Sequence, residues 1–184
     1  MVMFYRETDF QDLPIGKIPK DWDFVKLGDT LSLLRNGLTA KQNKEANGYP
    51  VTRIETISEE TIDPNRLGYL PEVSERNLIE FRLIEGDILF SHINSLKHIG
   101  KTAIYEGTPE LLLHGMNLLL LRPNNTRVDP EYLLYLLKLF RIRGIFRAIA
   151  KKAVNQASIN QTELGRVRIY LPPLIEQRKI VKVL

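Results

Sequence analysis

The chain has 184 residues, 43% apolar and 26% charged, with no cysteine and a formal net charge of +4. This balance fits one globular domain with its own core and excludes wholesale disorder, a disulfide framework and any Cys-ligated zinc or iron–sulfur site. No apolar run approaches the ~18 residues of a membrane span, and the opening MVMFYRETDF shows no apolar stretch of a signal peptide, so a soluble, cytoplasmic protein is expected.

In chain order, Pro14, Gly16 and Pro19 predict an extended leader. Apolar and polar residues then alternate over 22–28, as in a half-buried strand. Residues 31–34 are apolar and stop at Arg35-Asn36-Gly37, a strong turn signal. The polar residues 36–49 read as a long exposed loop. Residues 49–57 predict a strand with Val51, Arg53 and Glu55 on one face and Thr52, Ile54 and Thr56 on the other. Residues 58–82 read as acidic and irregular. Three strand-like runs follow at 88–91, 102–106 and 117–122, the last apolar on both faces as a central strand would be. Their short connections favour an antiparallel or mixed sheet over a doubly wound one. The expected class is α+β: a single domain with a mixed, largely antiparallel twisted sheet and flanking helices.

The clearest helix starts at Asp129 as N-cap, with Pro130 at the first position and Glu131 complementing the dipole. Leu133, Leu136, Leu137 and Phe140 mark its buried stripe, and Gly144 predicts a break or kink. A second helical piece turns Ile145, Phe146 and Ile149 inward, with Arg143, Arg147 and Lys151 at i, i+4 and i+8 on another face. A final strand over 167–171 ends at Pro172-Pro173. Residues 174–184 begin an amphipathic helix with Ile180 and Leu184 at i, i+4. Three turns are marginal alone, so this helix is expected to pack on a partner or belong to a longer parent.

The charge is unevenly placed. From Lys138 onward there are eleven Lys/Arg against two acids, Glu163 and Glu176, whereas residues 1–137 hold fifteen against twenty. A basic segment on a near-neutral body fits a polyanion partner as well as a plain solvated helix face. Enzymatic signatures are poor. Ser95-Leu-Lys-His-Ile-Gly-Lys-Thr102 is one residue short of a P-loop and continues as strand where a helix is required. Leu171-Pro172-Pro173-Leu174 is superficially similar to the Asn/Asp-Pro-Pro-aromatic motif of amino-methyltransferases, but it lacks both the side-chain acceptor and the aromatic face. His92, His98 and His114 have no carboxylate at ligand spacing and read as polar loop histidines. No catalytic residue, metal or cofactor is expected.

Three loops instead carry amides, hydroxyls and cations. The first holds Arg35, Asn36, Thr39, Lys41, Gln42 and Lys44. The second holds Ser91, His92, Asn94, Ser95, Lys97 and His98 and closes at Lys101. The third holds Asn155, Gln156, Ser158, Asn160 and Gln161. Such side chains bond base edges, Arg and Lys favouring guanine and Asn and Gln matching adenine. Arg143, Arg147 and Lys151 would grip phosphates and fix register.

Leu13-Pro14, Ile18-Pro19-Lys-Asp-Trp22 and Val25-Lys-Leu27-Gly28-Asp29 resemble the opening of a target recognition domain in the specificity (S) subunits of type I restriction-modification systems. Gly86-Asp87-Ile-Leu-Phe90-Ser91 with Gly100-Lys-Thr-Ala-Ile104 is similar to that family's central segment. The close, Ile169-Tyr-Leu171-Pro-Pro-Leu174-Ile-Glu176-Gln177-Arg-Lys-Ile180-Val181, is the most specific block of the three. One departure is Ser95-Leu-Lys-His, where the family often has Gly-Ser. The resemblance implies a non-catalytic protein whose recognition domain, itself similar to the DNA-reading domain of TaqI-type adenine methyltransferases, reads one half of a bipartite duplex target. Long spacer helices then pair and dock the methyltransferase (M) subunits and, through them, the restriction (R) subunit. On this basis residues 1–173 form the recognition domain and 174–184 start the spacer helix, with Leu174, Ile180 and Leu184 facing its partner. Usual members carry two domains and two helices, so the chain is expected to be a piece of a longer product, a truncated product or a half-subunit that self-dimerises. The competing expectations are a protein-interaction or anti-restriction module of the same fold and, less favoured, a stand-alone nuclease or methyltransferase.

Overall fold

The computed structural model describes residues 9–13, 16–43, 45, 47–154 and 156–184. The elements in chain order are β1 (Phe10–Leu13), β2 (Gly16–Pro19), β3 (Asp23–Lys26), β4 (Leu31–Asn36), β5 (Tyr49–Val51), β6 (Gly68–Leu70), α1 (Glu75–Phe81), β7 (Ile88–Ser91), β8 (Ile93–Asn94), β9 (Thr102–Ile104), β10 (Leu118–Pro123), α2 (Pro130–Ile142), α3 (Ile145–Ile149), β11 (Lys151–Lys152), β12 (Ala157–Ser158), α4 (Gln161–Gly165), β13 (Arg168–Leu171) and α5 (Leu174–Val181).

The body is a four-stranded antiparallel sheet in the order β4-β10-β7-β9. Side chains alternate across a strand, so β10 sends Leu119 and Leu121 to one face and Leu118 and Leu120 to the other. All four are fully buried, because both faces are covered. Leu119 and Leu121 join Ile88, Phe90 and the stripe of α2 (Leu133, Leu136, Leu137, Phe140) in the main core. Leu118 and Leu120 join Leu89, Ala103 and Tyr105 in a second core, closed by Ile57, Leu67, Leu83 and Leu112. This two-sided burial is why the sequence of β10 is continuously apolar. β3, near the start of the domain, pairs antiparallel with the last strand, β13.

Asp129 caps α2 as expected, accepting from the Glu131 and Tyr132 amides at 3.1 and 3.2 Å. Gly144 sits at φ +76°, which ends α2 and restarts the chain as α3. Gly86-Asp87 is structural. The Asp87 carboxylate, fully buried, accepts two bonds from the Arg122 guanidinium, both at 2.8 Å, and one from the Ile84 amide at 2.9 Å.

Two expectations are corrected, and two further features join them. The strand over 49–57 stops at Val51, and 54–57 is a 3-10 turn. There the Thr56 hydroxyl accepts from the Arg53 amide (2.9 Å) and donates to the Arg66 carbonyl (2.7 Å), side-chain bonds that compete with extension. The stretch 58–82 is not simply irregular: it holds β6, paired with β5, and α1, whose N-cap Ser74 accepts from the Asn77 amide at 3.3 Å. Residues 161–165 are helical because Asn160 and Glu163 form a reciprocal capping box, at 2.8 and 3.2 Å. Finally, in α5 the half-buried Ile180 and Val181 pack against the main core, while Leu184 is exposed and Leu174 half-buried.

The start of α5 is tied down by Gln177, a fully buried amide. Its Oε1 accepts from the Asp129 amide at 2.8 Å, and its Nε2 donates to the Pro172 and Arg127 carbonyls at 2.7 and 3.1 Å. The Trp22 indole N–H also donates to Glu176 at 3.1 Å. The Leu-Pro-Pro-Leu-Ile-Glu-Gln block is thus the joint between α5 and the body. Among the described residues, no helix is long and apolar enough to cross a membrane.

Candidate nucleic-acid interface

The second and third polar loops come together. The loop 91–101 leaves β7 and is closed at its base by paired backbone bonds, Ser91 amide to Lys101 carbonyl (2.8 Å) and Gly100 amide to Ser91 carbonyl (2.9 Å). Ile99 is buried beneath it. Gly100 has φ +79°, and a Cβ there would lie 2.5 Å from the Phe146 ring, so only glycine fits both the left-handed turn and the close approach of α3. The Gly-Lys-Thr run is therefore a packing device.

His92 joins this loop to the third. Its Nδ1 donates to the Ile159 carbonyl at 3.2 Å, and the Ile159 amide donates back to the His92 carbonyl at 2.9 Å. Beyond that junction β8 pairs with β12 and β12 with β11, setting Ala157 opposite Asn94 and Lys151 opposite Ser158. This small sheet displays Lys151, Lys152 and Gln156 to solvent. Beside it, Lys97, Arg141 and Arg147 line one groove between the second loop and the α2–α3 corner, with Arg143 exposed at the C-cap of α2. Arg141 is partly engaged by Glu60 at 3.1 Å, and Lys151 by Glu163 at 3.3 Å.

Several expected contacts are buried or occupied within the fold. Ser91 and His92 are buried, and the Ser91 hydroxyl accepts from Asn94 at 3.1 Å. Ser95 and His98 are half-buried, and Lys101 donates to the Ser58 carbonyl. Asn160 serves as the α4 cap, with Gln161 opening that helix. Arg35 is bound to Glu80 at 2.8 Å and stacks over Phe81 at 4.1 Å. Lys44 and Asn155 lie outside the described residues, as does Pro14 of the leader.

The first loop runs along different elements. Leu38 bridges Gly115 and Asn43 bridges Tyr69, leaving Asn36, Thr39 and Lys41 exposed. A Cβ on Gly68 would lie 2.4 Å from Gln42 Oε1 and 3.1 Å from Arg53 Cδ, so Gln42 and Arg53 meet over that glycine. Arg53 and Glu55 share a cleft with Asn65 and Arg66. Glu55 also lines a second cleft with Asn94, His98 and Lys101. The turn 53–57 thus stands between the first loop and the other two. In the sequence Arg53 falls within the expected strand over 49–57 and Arg66 within the acidic stretch 58–82, so neither stands out. The usable signal was the Arg53/Glu55 pair on one face.

The three histidines sit in separate environments. Burial pushes the His114 imidazole down to about 4, against the opposing effect of its bond to the Leu118 carbonyl at 3.0 Å. Burial also lowers His92, countered by the Ile159 carbonyl. His98 is lowered by desolvation and then by Lys101, Lys97 and Arg141. All three are therefore neutral at pH 7, each ring with one donor and one acceptor nitrogen. Among the described residues no group of three His, Asp or Glu could hold a metal ion.

The α+β body thus carries amides, hydroxyls and cations on paired loops around one groove. Residues 19–184 match the family described as Type I restriction modification DNA specificity domain. Over its whole length the chain is 59% identical to the putative type I restriction enzyme MjaX specificity subunit of Methanocaldococcus jannaschii, covering 43% of that protein. It is 30% identical to the EcoKI specificity subunit of Escherichia coli K12, over 91% of this chain and 38% of that one. A solved structure titled for complex assembly and conformational transition of the type I R-M system superposes with TM-score 0.69 at 25% identity, over 92% of this chain and 39% of that one. The HsdS subunit of Thermoanaerobacter tengcongensis shares the fold, with TM-score 0.64 at 24% identity, covering 95% of this chain and 39% of that one. The chain belongs to the type I restriction-modification DNA specificity domain family and spans about four tenths of the length of the curated relatives it matches.

Proposed function

We propose that this chain is a non-catalytic reader of duplex DNA sequence, acting in the cytoplasm within a type I restriction-modification complex. It directs the methyltransferase subunits, and through them the restriction subunit, to one half of a bipartite target. The observation that carries this reading is the joining of loops 91–101 and 156–161 through β8 and β12, with exposed Lys97, Arg147, Lys151 and Gln156 around the junction. Exposed cations supply sequence-independent affinity and amides supply discrimination. Residues 174–184 start the spacer helix, and Gln177 sets its direction by tying it to Asp129, Arg127 and Pro172.

The test is an exchange of residues 91–101 and 151–161 for those of another family member, in a complex with the methyltransferase subunits. Methylome sequencing should show a changed methylated motif in the host. An unchanged motif overturns the reading.

A further inference from the structure

The turn at 53–57 carries the arrangement that the polar loops do not explain. It is rigid: Thr56 and Ile57 are fully buried, and the Thr56 hydroxyl bonds on both sides, to the Arg53 amide and the Arg66 carbonyl. On this base Arg53 and Glu55 project together, their side chains 26% and 61% exposed and their charged atoms 3.4 Å apart. Both line the cleft shared with Arg66, and Glu55 reaches the cleft of Asn94 and His98 as well.

Glu55 pairs with Arg53 through one oxygen and, mostly exposed, keeps acceptor capacity for a donor on a duplex. In the major groove, cytosine offers the N4 amino group, which Glu accepts from, and the paired guanine offers two acceptors, O6 and N7, which suit an arginine fork. Donor and acceptor at this spacing match the two halves of one base pair. We propose that Arg53 and Glu55 together read a single G·C pair, Arg53 donating to guanine O6 and N7 and Glu55 accepting from cytosine N4. The inference rests on the DNA-reading function and deepens it by naming a base pair and its reader.

The test uses selection from a randomised duplex library by the assembled complex containing this chain, wild type and variants. Wild type should select at least one position fixed as G·C. E55Q and R53A should lower discrimination at that one position by about ten- to a hundredfold, leaving the other positions fixed. R53K keeps the charge but not the fork, so it should retain overall affinity and still lose the guanine preference. An equal loss across all sequences, random duplex included, makes Arg53 a phosphate contact and overturns the proposal. An unchanged preference in both R53A and E55Q leaves a surface ion pair only and overturns it too. Failure of the wild-type complex to select any sequence would overturn the DNA-reading function itself, a result distinct from either. Thermal unfolding of each variant, with E55Q expected to match wild type because its side chain is mostly exposed, separates misfolding from lost recognition.

Discussion

The sheet-and-helix body and the loop face treat polar groups in opposite ways. In the body, Asp87 bonds Arg122 and the Ile84 amide, Gln177 bonds three backbone groups and His114 Nε2 bonds the Leu118 carbonyl, while His114 Nδ1 and the Thr102 hydroxyl are buried without a partner. On the loop face, Lys97, Arg143, Arg147 and Gln156 reach solvent, while Arg141 and Lys151 pair with Glu60 and Glu163. Polar residues therefore bond mostly within the chain in one region and face solvent in the other. A single residue type, such as arginine, has to be judged by its surroundings: Arg122 and Arg35 belong to the body, Arg143 and Arg147 to the face.

Substitutions can break or sharpen this contrast. Arg122→Ala strips the partner from a fully buried carboxylate and should destabilise the chain by about 3–5 kcal/mol in chemical denaturation, with base preference kept by whatever remains folded. Next in size is the acid response of the body. His114 titrates at about 4 when folded against 6.5 when unfolded, so on acidification the unfolded chain takes the proton first. Its contribution is intact above pH 6.5 and is lost as pH falls towards 4, on the order of 3 kcal/mol in all. His92 is lowered also and acts in the same direction. Denaturation series between pH 7.5 and 4.5 should show this slope, and His114→Gln should flatten it.

A smaller effect is expected where the two regions meet. Asn160→Ala removes the α4 cap and should cost about 1 kcal/mol of stability; a larger loss of sequence preference than of stability would mean that Asn160 acts on DNA despite its capping role. The smallest change in affinity is expected from Arg147→Ala. It should weaken every duplex alike and reduce the slope of log affinity against log salt by about 1, read by fluorescence anisotropy at several salt concentrations. A selective loss at one base position would move Arg147 from phosphate contact to base reader.

Local chemistry was legible along much of the chain. Asp129-Pro130 and the Leu133/Leu136/Leu137/Phe140 stripe announced α2, Gly144 its end, and the apolar run of β10 its burial on both sides. Each rests on neighbours within a turn or on strand periodicity, which a sequence displays directly. Two signals of the same kind, the Ser74 and Asn160 caps, were present but submerged in polar stretches. The strand expected over 49–57 failed because the hydroxyl of Thr56 captures the Arg53 amide, and periodicity does not reveal such a bond.

Tertiary structure alone decided which polar loops share a surface. Residues 91–101 and 156–161 lie some sixty positions apart and meet because His92 bonds Ile159 and β8 pairs β12. The same packing buried Ser91 and His92, drew Arg35 onto Glu80 and Phe81, and brought Arg53 and Glu55 forward. Composition and local periodicity established an α+β chain with a basic last quarter, because those are properties of residues and their near neighbours. Which cations and amides remain open to a partner depends on long-range contacts, and only the folded chain supplies them.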